Sequence, residues 1–202
     1  MKPRTRVYIE VGGKRAFASA ADWPGWSRSG KTPEAALEAL AFYAPRYAAI
    51  PKLARIEFPK DATKFDVVER LAGNATTDFG APGIPAKGES KTMTNVEHAR
   101  RISLLEACWK YLDRVVANAP AELRKGPRGG GRDRDKMFQH VLDAELEYGK
   151  GIGLRLKAPD RKALLAGFRN PSSDGRWPVA YAIRRTAWHA LDHAWEIEDR
   201  IP

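Results

Sequence analysis

Trp188-His189-Ala190-Leu191-Asp192-His193-Ala194-Trp195-Glu196 sets two of the chain's four histidines four residues apart in a run with helical periodicity. On an α-helix, residues i and i+4 share one face, with Cβ atoms roughly 5–6 Å apart. Two imidazoles so placed converge on one cation at about 2.0–2.1 Å per Zn–N bond, each in an ordinary rotamer. Outward from this stretch, Pro178 opens the helix, which runs to about Arg200. Ala182, Thr186, His189, Ala190, His193 and Ile197 form one stripe of it, so both histidines point where a core should be. Two inward-facing histidines on one helix are hard to explain as packing. A third, His140, lies on a helix expected from near Asp133 to Tyr148, on a face with Met137, Val141, Ala144 and Tyr148. If the two helices are bundle neighbours, three imidazoles meet in the core.

The rest of this half is helical too. Thr94-Asn95-Val96-Glu97 is a capping box, with Thr at N-cap and Glu at N3. Ile102, Leu105, Cys108, Leu112 and Val115 continue a helical stripe that Pro120 ends. Cys108 among them reads as core, since a reactive thiolate needs a polar, cationic setting. Pro159 begins a shorter helix, Asp160 to Phe168. Upstream the period is two. Arg6 to Val11 and Arg15 to Ala20 read as strands around a Gly12-Gly13-Lys14 turn. Asp22 to Gly30 reads as turn-rich. Thr32 and Pro33 cap a helix through Tyr43. Leu53 to Phe58 and Phe65 to Leu71 alternate as two more strands, and Asn74 to Pro85 reads as turns. Ile84 to Ser90 reads as a linker. The domain boundary therefore falls at residue 88: an α+β module over 1–88 and a helical bundle over 89–202.

Composition bounds the function. No stretch of the 202 residues approaches the roughly 20 consecutive apolar residues of a membrane helix. The basic N-terminus lacks the apolar region of a secretory signal, so a cytoplasmic location is expected. A single cysteine excludes an internal disulfide. The net charge of +10 invites a nucleic-acid reading, but residues 1–90 carry 14 Lys/Arg against 10 Asp/Glu and residues 91–202 carry 21 against 15. Charge spread this evenly suits a solvated surface better than a nucleic-acid footprint.

Asp22-Trp23-Pro24-Gly25-Trp26, followed by Ser29-Gly30-Lys31-Thr32-Pro33-Glu34-Ala35, resembles the HicB-like antitoxin fold, which implies a small αβ module with a β-hairpin. No helix-turn-helix or ribbon-helix-helix region follows, so antitoxin activity is not carried over. His140-Val141-Leu142-Asp143-Ala144-Glu145 and Trp188-His189-Ala190-Leu191-Asp192-His193 together resemble the DinB-like metal-binding four-helix bundle, over residues 89–202. That resemblance implies a divalent metal, zinc or nickel, on His140, His189 and His193. Characterised members include transferases and isomerases that use low-molecular-weight thiols such as bacillithiol and mycothiol.

Three neutral imidazoles leave a fourth position open, the arrangement of catalytic zinc. A ligating ring usually donates its other N–H to an acceptor, for which Glu145, Asp192 and Glu196 are candidates. His98 has no partner by spacing. The segment Gly126-Pro127-Arg128-Gly129-Gly130-Gly131-Arg132 combines glycines and arginines as an anion-binding loop could, although the closing Gly-Lys-Ser/Thr of a Walker A motif is missing. Two functions follow. The first is thiol-dependent transfer or metal-assisted hydrolysis of a small molecule, with Arg128 and Arg132 holding carboxylates of a thiol cofactor or substrate. The second is a non-enzymatic binding module for nucleic acid or a protein partner, with a structural metal. The expected partner is a small-molecule substrate or thiol; nucleic acid and membrane are not expected, and assembly as a homodimer is left open.

Overall fold

The computed structural model describes residues 4–126 and 131–202. The fold is α+β, with a four-stranded mixed sheet in the N-terminal part and long helices after it. Strands β1 (Thr5–Val11) and β2 (Ala16–Ala20) form the expected hairpin, with Val11 opposite Ala16 and Val7 opposite Ala20. Asp78 braces its turn by accepting from the backbone N–H of Gly13 and Lys14 at 3.2 and 2.7 Å.

Helix α1 (Pro33–Phe42) starts as its sequence dictates: Thr32 Oγ1 accepts from the Ala35 N–H, and Pro33 occupies the first turn, where no N–H is needed. Two short helices follow, α2 (Ala44–Tyr47) and α3 (Ala49–Ala54). Together α1 to α3 make the crossover that lets β4 (Phe65–Ala72) run parallel to β1; with β3 (Ser27–Gly30) on the other edge, the strand order is β3-β2-β1-β4.

Three segments differ from the sequence expectation. Leu53 to Phe58 is not a strand: α3 ends in it, and Arg55 closes the helix at φ 58°. The chain then drops Phe58 among Trp23, Trp26 and Tyr47, with ring centroids 4.9, 5.5 and 5.7 Å away. Its alternating apolar residues thus serve an aromatic cluster rather than a ladder. Ser27–Gly30, expected as turn, is the edge strand β3 paired antiparallel with β2. Its small polar residues carry no alternation, and tertiary pairing decides. Within the turn-rich stretch after β4, α4 (Ala75–Phe79) forms because Asn74 caps it, accepting from Thr76 N–H at 2.8 Å, while Thr77 Oγ1 accepts from the Asn74 N–H at 2.9 Å.

A 3₁₀ turn (Lys87–Ser90) leads into α5 (Asn95–Asn118), whose Thr94–Glu97 capping box is formed as read. Then come α6 (Arg134–Gly151), α7 (Arg161–Arg169) and α8 (Val179–Asp199). Helix α8 is the most buried of these and packs against both α5 and α6. Among the described residues no helix is long and apolar enough to cross a membrane.

The division at residue 88 separates sheet from long helices, yet the buried apolar side chains of both parts make one core. Val7, Ile9, Trp26 and Leu40 belong to the same cluster as Leu104, Leu105, Cys108 and Leu191. The β2–β3 turn enters the bundle at Gly25, where a Cβ would meet Leu191 Cδ1 at 2.7 Å and Cys108 Sγ at 3.0 Å, and where φ is +95°. Cys108 is wholly buried there, and burial pushes its thiol far above the usual range, so it is packing rather than nucleophile. A buried ion pair spans the same seam: Arg184 of α8 donates to Glu89 at 2.6 and 2.9 Å, and to the Ile84 carbonyl at 3.1 Å.

Candidate metal centre

The two histidines of α8 and the one of α6 do meet. One ring nitrogen from each of His140, His189 and His193 lies within 4.8 Å of the other two. The rings are mutually edge-on, with centroids 5.0, 5.0 and 4.6 Å apart. His189 is buried, while His140 and His193 are half-buried, so the cluster is reachable from one side.

The hydrogen bonds fix one proton, on His193 Nδ1. His193 Nδ1 lies 3.0 Å from Glu196 Oε2. A carboxylate only accepts, so Nδ1 carries a proton, and a metal-ligating His193 would present its Nε2 lone pair. His189 Nε2 faces that lone pair at 3.1 Å, and His189 Nδ1 is buried with no partner. In one His189 tautomer Nε2–H donates to His193 and leaves the Nδ1 lone pair orphaned. In the other, two Nε2 lone pairs face each other, an arrangement that a cation between them suits. Tetrahedral bonds of about 2.0–2.1 Å hold neighbouring ligand nitrogens about 3.3–3.4 Å apart, so the 3.1 Å spacing fits a shared cation. None of the other spacings exceeds 4.8 Å. The residues therefore fit a divalent metal of the zinc or nickel kind.

Electrostatics keep the rings in the state a ligand needs. Burial pushes His189 well below its usual pKa, and the neighbouring His193, His140, Arg185 and Arg132 push it further. Burial, then His193 and Arg132, lower His140 in the same way. The His193 hydrogen bond holds Glu196 below the usual carboxylate range, helped by Arg200.

Of the three acids considered for orienting a ligand, the structure brings only Glu196 to a histidine. Asp192 pairs with Arg28 at 2.8 Å. Glu145 is buried against Arg161 at 3.0 and 3.1 Å. His98 lies apart, half-buried on α5. Of the loop arginines, Arg128 lies outside the described residues. Arg132 is exposed, and its charge reaches both His140 and His189.

Arg200 is the functional residue that sequence reasoning missed. Its Nη1 donates to Glu196 Oε1 at 3.1 Å and to the Arg132 carbonyl at 2.8 Å, and its Nε donates to the Arg124 carbonyl at 2.7 Å. It thus ties both ends of the Gly/Arg segment to the carboxylate that holds His193. The signal was available: His189, His193, Glu196 and Arg200 follow one another at four, three and four residues, one continuous helical stripe.

The arrangement defines an α+β protein with a three-histidine cluster between two packed helices, backed by a carboxylate and an arginine. No family model matches the chain, no curated protein matches it, and no solved structure matches it.

Proposed function

We propose that this chain is a metal-dependent protein built from a HicB-like N-terminal module and a DinB-like four-helix bundle, acting on a small molecule by thiol-dependent transfer or metal-assisted hydrolysis. The observation that carries the reading is the convergence of one ring nitrogen each from His140, His189 and His193, with Glu196 holding the Nδ1 proton of His193. His140, His189 and His193 would hold the metal, which, if zinc, would lower the pKa of a bound water towards about 7 or ionise a bound thiol.

The chain's own residues prepare that chemistry. Histidines held neutral present lone pairs at physiological pH. Glu196 holds a proton on His193 Nδ1 and so keeps Nε2 free. The Arg132 charge acts on both His140 and His189, a positive field suited to the carboxylates of an acidic thiol or substrate. Asp192 and Glu145 take no part, since arginines occupy both.

Cobalt substitution tests the reading. Added bacillithiol or mycothiol should produce thiolate-to-cobalt charge-transfer absorption in the wild type, with affinity reduced by Arg132→Ala while the metal stays bound. A cobalt spectrum indifferent to thiols and to small acidic ligands would instead mark the metal as structural and the chain as a binding module.

A further inference from the structure

A cleft of about 620 Å³ opens where α3 meets α5 and the end of α8. Its volume falls in the range of roughly 300–1,000 Å³ typical of small-molecule sites, and it lies between the sheet-bearing part and the helical part, where such sites concentrate. The cleft is apolar inside, with Leu53, Val115 and Ile201 among its walls. Ile201 is left 38% exposed by it. Three cations stand around these residues: Lys52, Arg55 and Arg114. None of the three forms an ion pair among the described residues. The acid that lines the cleft, Glu198, is already engaged by Arg46 at 2.7 Å and by the Tyr111 hydroxyl at 2.7 Å. None of the three clustered histidines lines this cleft, so it stands independently of the metal reading.

We propose that this cleft binds a small amphipathic carboxylate, an acyl or aryl acid whose apolar body lies against Leu53, Val115 and Ile201 and whose carboxylate meets the three unpaired cations. An apolar wall alone would accept any hydrocarbon. A surplus of three cations over a single, already neutralised acid selects an anion.

Calorimetric titration of the full chain with hexanoate, octanoate and decanoate tests this. One saturable site is expected, with affinity rising about threefold to fourfold per added methylene. Octanol, lacking the charge, should bind at least about tenfold more weakly. Arg114→Glu reverses one rim charge. Ala49→Glu places a carboxylate on the cleft wall in the first turn of α3, where an acid suits the helix. Each should weaken octanoate about tenfold while circular dichroism stays unchanged. Phe79→Ser, which removes an 89% exposed ring outside the cleft, should leave octanoate binding as in the wild type. The proposal is overturned if octanoate shows no saturable binding, if octanol binds as well, if neither charge variant weakens binding, or if Phe79→Ser abolishes it.

Discussion

Replacing Glu196 by Ala removes the only acceptor that the His193 Nδ1–H has among the described residues, at 3.0 Å, and one of the two partners of Arg200 Nη1 there, at 3.1 Å. Loss of such a partner to a metal-ligating histidine typically costs 10–100-fold in metal affinity, about 1.4–2.7 kcal/mol. The Glu196 side chain is 38% exposed, so water can replace part of what is lost, and the lower part of that range is expected, about 10–30-fold. Arg200→Gln leaves the carboxylate but unfastens it, and should cost less, about threefold to tenfold. Because the two residues act on His193 in series, the double variant should be little worse than Glu196→Ala alone. Zinc affinity measured by competition with a chelator at fixed pH, alongside thermal melting of each variant, gives these numbers. Should Glu196→Ala bind zinc within twofold of the wild type while His193→Ala loses it, the chain from Arg200 through Glu196 to His193 has no bearing on the metal.

Three further outcomes concern the frame around the site. Glu89→Gln should lower stability by about 3–5 kcal/mol in denaturant unfolding, because it leaves the buried Arg184 guanidinium uncompensated; the change Glu89→Leu with Arg184→Met should cost less than that single substitution. A fragment 89–202 should melt below the full chain and bind a hydrophobic dye, because Leu105, Cys108 and Leu191 lose the core they share with Trp26 and Leu40; a fragment that melts like the full chain and binds no dye would make the two parts independent modules. Burial raises the Asp22 carboxyl, but Arg6 at 2.9 Å and the charges of Arg101 and Arg100 outweigh it and hold the group below its ordinary value of 3.8. A carboxyl lowered in the fold contributes stability that is present above its ordinary value and lost as pH falls through the lowered one. The melting-temperature gap between wild type and Asp22→Asn should therefore be open at about pH 6 and narrow as the pH falls below the ordinary value of 3.8; a gap independent of pH would contradict it.

Much of this was legible in the sequence because local chemistry and tertiary structure agree. The i, i+4 histidines, the Thr94–Glu97 box and the Gly-Gly hairpin each declare their conformation within a few residues, and the structure keeps all three. The failures share a cause. Ser27–Gly30 has no strand pattern of its own and becomes β3 only by pairing with β2. Leu53–Phe58 has a strand pattern, but the end of α3 takes its first residues and the Trp23, Trp26 and Tyr47 rings take Phe58. Choosing Glu196 over Asp192 and Glu145 needed Arg28 and Arg161, which are 164 and 16 residues away from the acids they occupy. Periodicity places a side chain on a face, but it does not say which distant arginine reaches it first.

Elemental analysis of the untagged protein tests the central claim most directly. The three-histidine cluster predicts stoichiometric zinc or nickel in the wild type, lost in His189→Ala and in His193→Ala while the helical circular dichroism persists. A wild-type protein that carries no transition metal, and whose melting temperature and spectra do not change when zinc or nickel is added, would contradict it.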